Sequence, residues 1–372
     1  MSVICRDVFK LIEELAPLNL AEKWDNPGLQ VGDPGIVISK VVLALDVTAE
    51  VVRETKEKDA GLIVSHHPLI FNPIKSLDFS QPSGRLLESI IKNRITVYSA
   101  HTNLDIAEGG VNTVLAALLG LEDRTVLQVT GRESYIKLVV FVPDGHAAAV
   151  HQAISGAGAG WIGNYSHCAF QVSGTGMYLP CPGTRPFIGE EGKLAKTGET
   201  RLETIVPRSG LAAVLQSMQT AHPYEEIAYD LYNLENSGPA YGLGLVGNIP
   251  GILDFEGLIN LVKKTLNLPQ VRAGGEMSRT VKRVALCGGA GAKLWTEAAA
   301  LGAEVFLTGD IGYHDAKDML DAGLCFIDAG HYGAEIPVLP ALRDYLEDQC
   351  RSRGLEVEFI LSDYNGDPFL MI

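Results

Sequence analysis

Two periodicities alternate through the first third of the chain. VISKVVLALDV (37–47), LIVSHH (62–67) and ITVYSAH (95–101) are apolar, β-branched runs of strand length. Between them, TAEVVRETKEKDAG (48–61) and SGRLLESIIKNR (83–94) carry apolar residues at helical spacing. Thr48 stands where an N-cap belongs and Gly61 closes its segment. Near the start, Val8, Leu11, Ile12 and Leu15 fall on one helical face. Near-continuous apolar strands separated by helices predict a parallel sheet covered on both faces. Residues 281–372 resume the rhythm. VKRVALCGG, EVFLTGD and LCFIDAGH read as strands, and AKLWTEAAALG, HDAKDMLDAG and PVLPALRDYLEDQCRSRG as helices, with LEVEFILS closing the series.

The middle of the chain is glycine-rich, and its strands (IKLVVFVP, HCAFQVSGTGMYLP, GETRLETIVP, EEIAYDLYNL) alternate apolar with polar residues. The helical stretches GHAAAVHQAISGAG and SGLAAVLQSMQTAH intervene, giving strand–helix–strand twice, the ferredoxin-like pattern. The expected fold class is therefore α/β. Two similar α/β halves, 1–128 and 247–372, form one main body, and 129–246 is an inserted ferredoxin-like α+β domain. The second half opens on a helix, DFEGLINLVKKTLN, capped by Asp254.

Composition narrows the function classes. The 372 residues are 47% hydrophobic and 20% charged, with 30 Lys+Arg against 45 Asp+Glu, a net charge of −15. Nucleic-acid binding draws on Lys and Arg to neutralise phosphates, so this balance and the lack of a basic run argue against a nucleic-acid partner. No apolar stretch approaches the ~20 residues of a membrane span. The 6 cysteines are scattered, with no CxxC, as suits a reducing cytosol. A cytoplasmic protein with no membrane association is expected.

Open α/β sheets bind ligands at the carboxyl ends of their strands. There the sequence places His66 and His67, then His101 with Asp105, then Asp310, then His331 with Glu335. His331 and Glu335 are one helical turn apart and share a face. Adjacent histidines leaving a strand point to opposite sides, so they reach two different ions more readily than they chelate one. Three imidazoles and two carboxylates suit two divalent ions about 4 Å apart with a bridging group. All-nitrogen and oxygen ligation favours zinc, manganese, iron or nickel over calcium. His66, His67, Asp105, His331 and Glu335 are the candidate metal ligands.

Other residues admit two readings. An isolated HH pair is more often structural, and an i,i+4 His–Glu pair is often a plain ion pair; their joint occurrence at strand ends favours metal. His101 is a ligand, an orienting neighbour or a proton carrier; His314 opens a helix and serves a backbone carbonyl or the substrate. These two are the candidate catalytic residues. His146, His151 and His167 lack carboxylate partners nearby and read as structural. His222, followed by Glu225 and Glu226, reads as a helix-ending turn rather than a metal site. CGGAGAK (287–293) either seats a phosphate at a helix N-terminus or is a tight turn packed closely; it matches neither GxGxxG nor the Walker pattern. WDNPGLQVG (24–32) is a turn in which Trp24 and Asp25 can line a pocket.

As a set and in this order, WDNPGLQVG, SHHPLIF, AHTNLD, CGGAG, TGDIGYHDA and DAGHYGAE resemble the NGG-interacting-factor-three-like family, also called GTP cyclohydrolase I type 2 homologues. The middle segment, with its HPYEE stretch, resembles the PII/CutA-like insertion of the long bacterial members. The resemblance implies a dinuclear centre on His66, His67, Asp105, His331 and Glu335, with His101 matching a histidine frequent before the aspartate. It also implies a toroidal homohexamer with the site facing an interior cavity.

Two functions compete. One is a metal-dependent hydrolase of a nucleotide-like small molecule such as GTP, using two divalent ions per chain, zinc first. The other is a metal-binding regulatory or ligand-sensing module without turnover. An open coordination position separates them, because structural sites are closed; five protein ligands shared by two ions leave positions open.

Overall fold

A computed structural model describes residues 2–364 and 366–369. The chain divides into two compact units, residues 1–130 with 241–372, and Gly131–Ala240.

The larger unit is built on two sheets. In the first, Lys40–Ala44, Leu62–Ser65 and Thr96–Ser99 pair in parallel. Glu358–Leu361 adds a parallel strand beside Lys40–Ala44, and Gly28–Val31 closes the far edge antiparallel to Thr96–Ser99. Alternate residues feed opposite faces. Val41, Leu43, Leu62, Val64 and Tyr98 enter one core, while Val42, Ala44, Ile63 and Val97 enter another. Val51 and Val52 of helix Ala49–Glu57 and Ile90 of helix Pro82–Lys92 cover the second face. Val8, Leu11 and Ile12 of helix Cys5–Leu15 cover the first, as their spacing predicts, joined by Leu339, Leu342 and Leu346 of helix Val338–Arg353. Burying each such aliphatic side chain stabilises by about 1.5–3 kcal/mol.

In the second sheet, Thr280–Leu286, Val305–Thr308 and Cys325–Asp328 run parallel, with Arg272–Gly274 antiparallel at the edge. Val284, Leu286, Val305, Leu307 and Ile327 enter the same core as the first sheet's inner face. That core therefore lies between the two sheets and brings their strand ends to one place. Phe306 and Phe326 point to the other side, against Ala298 and Met319.

Local signals place the helices as expected. The Thr48 hydroxyl accepts from Val51 N at 3.3 Å, and the Asp254 carboxylate accepts from Gly257 N at 2.8 Å at the head of helix Phe255–Thr265. Three details differ from the periodicity. The closing strand Glu358–Leu361 belongs to the first sheet, not the second. The predicted strand 37–47 breaks at Ser39 into Val37–Ile38 and Lys40–Ala44, because its first two residues pair with Val3–Ile4 instead. WDNPGLQVG holds a strand as well as a turn, Gly28–Val31, too short at an edge for a period to register.

The smaller unit has its own core. The strand ending at Pro143 is followed by helix Ala147–Gly156, strands Ala169–Tyr178 and Ala195–Pro207, helix Leu211–Ala221 and the strand beginning at Tyr229. Leu138, Val140, Leu202 and Val206 pack against Val150, Ile154, Val214 and Met218 of the two helices. Residues 135–143 and 169–178 both pair antiparallel with the central Ala195–Pro207 strand. Among the described residues no helix is long and apolar enough to cross a membrane.

Candidate metal centre

Three strand ends of the larger unit supply the site. Beyond Leu62–Ser65 the backbone stays in the ladder: His66 N donates to Ala44 O at 3.1 Å and His67 N to Leu45 O at 2.8 Å. Both rings still reach one cluster, with centroids 5.0 Å apart and planes tilted by 48°. After Thr96–Ser99, His101 precedes the short helix Thr102–Ile106, which carries Asp105. The Asn103 side chain accepts from His101 N at 2.9 Å and donates to Ala16 O at 2.7 Å, anchoring this turn from its buried position. After Cys325–Asp328, Gly330 takes φ +74° and starts helix His331–Glu335. One turn of that helix sets Glu335 Oε1 3.2 Å from His331 Nε2.

Every histidine of the cluster is held by its Nδ1. Partners lie at 2.8 Å for His66 (Ala100 O), 2.9 Å for His67 (Asp46 Oδ1), 2.8 Å for His101 (Asp25 Oδ1) and 2.8 Å for His331 (Asp310 Oδ2). A carbonyl or carboxylate partner fixes Nδ1 as the donor and leaves Nε2 with its lone pair available inward, the arrangement that metal-ligating histidines use. Three of these carboxylates were not singled out as partners by sequence reading. The strand-end rule already places Asp310 and, extended to the strand Lys40–Ala44, finds Asp46; Asp25 reads from sequence as a pocket residue of the WDNPG turn, and its hold on His101 shows only through the fold. Thr102 N and its hydroxyl also donate to Asp25, at 3.0 and 2.5 Å.

The inward atoms converge. Glu335 Oε2 is 3.0 Å from His67 Nε2, and Glu335 Oε1 is 3.7 Å from His66 Nε2. Asp105 Oδ1 is 3.5 Å from His66 Nε2. Three groups bring ligand atoms within 4.8 Å of one another: His66–Asp105–Glu335, His67–His331–Glu335 and His66–His67–His101. Despite these approaches, no hydrogen bond of acceptable geometry reaches His66 Nε2, Asp105 Oδ1 or Glu335 Oε2, all of them buried. Leaving such groups unsatisfied costs about 1–3 kcal/mol each, more when charged. A cation satisfies all three, so the residues present fit a metal site.

Charge in the metal-free protein follows the same geometry. For His331, the Glu335 hydrogen bond outweighs burial and, with Asp310, raises the pKa to about 9. Burial opposes protonation of His67, but Asp46 and Glu335 overcome it and raise the pKa to about 10. Burial raises Asp105 to about 6 against the pull of His66. Burial also opposes ionisation of Glu335, yet the imidazoles around it hold it well below the usual carboxylate range. Asp25, despite burial, is held at about 2 by His101 and Thr102.

The glycine-rich turn CGGAG explains itself by contact. A Cβ on Gly289, at φ +61°, would lie 2.2 Å from Glu335 Oε1 and 3.4 Å from His331 Nε2. Gly309 packs as tightly, against His331 N and Gly289 O. Gly289 thus lets backbone close against the carboxylate that both triads share, and Gly309 lets it close against the start of the His331 helix.

His314 is exposed at the start of helix Tyr313–Asp321, its ring against Tyr313, and belongs to none of the three groups. His222 is tied to backbone, with Nε2 donating to Phe141 O at 3.0 Å and Nδ1 accepting from Tyr224 N at 3.1 Å. His151 contacts His167 O at 3.0 Å, and His146 lies edge-on to Phe187.

Fold and site together define a mixed α/β protein of several sheets, whose strand ends assemble histidine and carboxylate groups able to hold metal. Residues 3–368 match the family model described as Duf34/NIF3 (NGG1p interacting factor 3), and the chain belongs to that family. A Halalkalibacterium halodurans protein named GTP cyclohydrolase 1 type 2 homolog is 42% identical over 365 residues, covering 98% of each chain. A Bacillus subtilis protein of the same name is 40% identical over 371 residues, covering 100% of this chain and 99% of its own. The crystal structure of a Bacillus cereus protein related to NIF3 superposes with a TM-score of 0.91 at 40% identity, covering 100% of both chains. The resemblance read from the motifs is thereby borne out.

Proposed function

We propose that the protein is a dinuclear metal-dependent hydrolase acting on a nucleotide-like compound. The observation that carries this reading is Glu335, common to both triads, standing among buried Nε2 and carboxylate oxygen atoms that lack partners. His66, Asp105 and Glu335 would hold one divalent ion, and His67, His331 and Glu335 the other; zinc suits this ligand set, as do manganese, iron and nickel. Bound there, such ions acidify a water and polarise the bond under attack, and three protein ligands per ion leave room for both. His101 is the group that moves a proton. Asp25 holds its Nδ1–H, and its ring lies 5.3 and 5.6 Å from those of His66 and His67. The low pKa of Asp25 keeps that orientation through the neutral range. His314 is assigned to the substrate side. The name carried by the two relatives supports a nucleotide-like substrate.

Residues 131–240, with their β-α-β-β-α-β order, are read as a ferredoxin-like, PII/CutA-like insertion, and the assembly as a homohexamer. The competing reading, a ligand-sensing module without turnover, draws on that unit's separate core. The test is turnover of GTP, related nucleotides and their nucleosides by metal-replete protein beside Asp105→Asn, which keeps shape and removes charge. At least a hundredfold loss is expected. Equal activity in both overturns the assignment, and no turnover with tight ligand binding to 131–240 selects the sensing module.

A further inference from the structure

A cleft of about 800 Å³ opens beside His67. Its size is that of a small-molecule site, ~300–1,000 Å³. Asp46 and His67 line it, and the loop after the HHP motif supplies apolar side chains, Leu69, Ile70, Phe71, Ile74 and Leu77, interspersed with polar ones between Asn72 and Ser83. Phe71, Ile74 and Leu77 are 47%, 48% and 44% exposed, an unusual loop to leave to water. The loop is nevertheless held in place. Asn26 Nδ2 donates to Ile70 O at 2.6 Å and Ile70 N to Gln30 Oε1 at 3.0 Å. At its far end Gly84 admits the Asp78 carbonyl, which would stand 1.9 Å from a Cβ there.

The same WDNPG turn that fixes Ile70 carries Trp24, 58% exposed, with its ring 5.9 Å from Phe71 and 6.0 Å from His101. Two solvent-facing aromatic rings thus run from the proton-moving histidine to the mouth of the cleft. Among the described residues lining the cleft there is no Lys or Arg, and Asp46 and Asp78 are both acidic. Around the imidazoles stand Asp25, Asp46, Asp105, Asp310 and Glu335, so two divalent ions leave no surplus positive charge.

Resting on the hydrolase reading above, we propose that this cleft takes the substrate's uncharged heteroaromatic ring against Phe71, which Trp24 backs from outside the cleft, and that the substrate is a nucleobase- or nucleoside-like compound rather than a nucleoside polyphosphate. Stacking on an aromatic side chain needs no cation, whereas a triphosphate needs basic groups that the cleft does not offer. His67 in the cleft wall sets the ring's substituents at the metal ligands.

The test is equilibrium binding read by Trp24 fluorescence in the full chain carrying Trp161→Phe and Trp295→Phe, which remove the other two indoles. The probes are guanosine, adenosine, cytidine, uridine, GTP and inorganic triphosphate, each with metal-replete and chelator-treated protein. At least one nucleoside is expected to quench Trp24 and to bind no more weakly than GTP, with inorganic triphosphate failing to compete. Phe71→Ala is expected to weaken that binding at least tenfold with metal content and oligomer size unchanged. The proposal is overturned if GTP binds tenfold more tightly than every nucleoside, if triphosphate competes, if no nucleoside binds, or if Phe71→Ala leaves affinity unaltered. It is also overturned if that variant changes the oligomer size, which makes the loop a subunit contact. Nucleoside binding without turnover would sink the hydrolase reading alone; turnover indifferent to Phe71 would sink this one alone.

Discussion

The Nε2 atoms of His67 and His331, residues 264 apart in the chain, stand 3.3 Å from each other. Each comes from a different sheet, and Glu335 contacts both, Oε2 at 3.0 Å and Oε1 at 3.2 Å. Without metal, the raised pKa values of both rings let protons stand in for a cation's charge beside Glu335. Two protonated rings this close repel one another, a conflict that replacement of the protons by metal removes.

Metal uptake should therefore release protons. Chelator-treated protein in weak buffer at pH 7.5 is expected to expel at least two protons per chain on reloading with zinc, and His331→Ala to expel fewer. pH electrode titration reads this directly. Uptake without proton release would mean that the imidazoles are neutral beforehand.

Thermal stability should show opposite pH trends in the two forms. A folded pKa raised to about 10 for His67 and about 9 for His331 stabilises the metal-free protein fully below the unfolded value of about 6.5. That contribution fades as pH rises through 9 and 10. Metal-loaded protein needs the rings unprotonated, so its extra stability should instead be lost on acidification. Melting curves from pH 6 to 10, with and without chelator, separate the cases; parallel trends would refute the site's role in metal binding.

His67→Ala should lower bound metal and leave far-UV circular dichroism unchanged, because the ring lies outside the cores. Asp46→Asn should weaken metal affinity by about 10–100-fold without removing a ligand, because the amide oxygen still accepts from His67 Nδ1–H but no longer carries the negative charge behind the ring. Elemental analysis of dialysed protein checks both; unchanged metal in His67→Ala sinks the assignment.

The strand-and-helix rhythm made most of the larger unit legible, since buried parallel strands must be apolar and their covering helices amphipathic. The convergence of His66, His67, Asp105, His331 and Glu335 was legible because residues leaving adjacent parallel strands at the same end come together. Their exact company was not. Asp25 reaches His101 through a tertiary contact spanning 76 residues, and no local pattern encodes such a partner. His314 lies outside the three ligand groups, exposed at its helix start, a placement set by the fold and not by any local pattern. CGGAG looked equally like a phosphate cradle or a close-packed turn; the proximity of Glu335 to Gly289 supplies the packing reason.

Gly289→Ala should act on the site through shape alone. Left-handed backbone costs a Cβ-bearing residue about 1–2 kcal/mol. The added methyl also displaces Glu335, so metal affinity should fall more than stability does. Comparing the melting temperature of the chelated variant with its zinc titration isolates the two effects. A variant with wild-type zinc affinity would show that Glu335 shifts freely and is not the shared ligand.

Excision of residues 131–240 should leave a folded, metal-binding protein. The strands that enter and leave this segment are neighbours in one sheet, Glu122–Pro143 beside Tyr229–Asp254. A Cβ on Gly242 would lie 1.9 Å from Gln128 O and 2.8 Å from Thr130 N, so the backbones to be rejoined already touch. A short Asn-Gly turn between Thr130 and Tyr241 then closes an ordinary antiparallel hairpin. Closing a shorter loop also costs less chain entropy. No residue of the three ligand groups, and none of their Nδ1 partners, lies in the removed segment. The shortened chain is expected to be soluble, to melt cooperatively and to hold as much metal per chain as the intact protein. Loss of both folding and metal would show that the segment shares the main core, and that the ligand cluster depends on it.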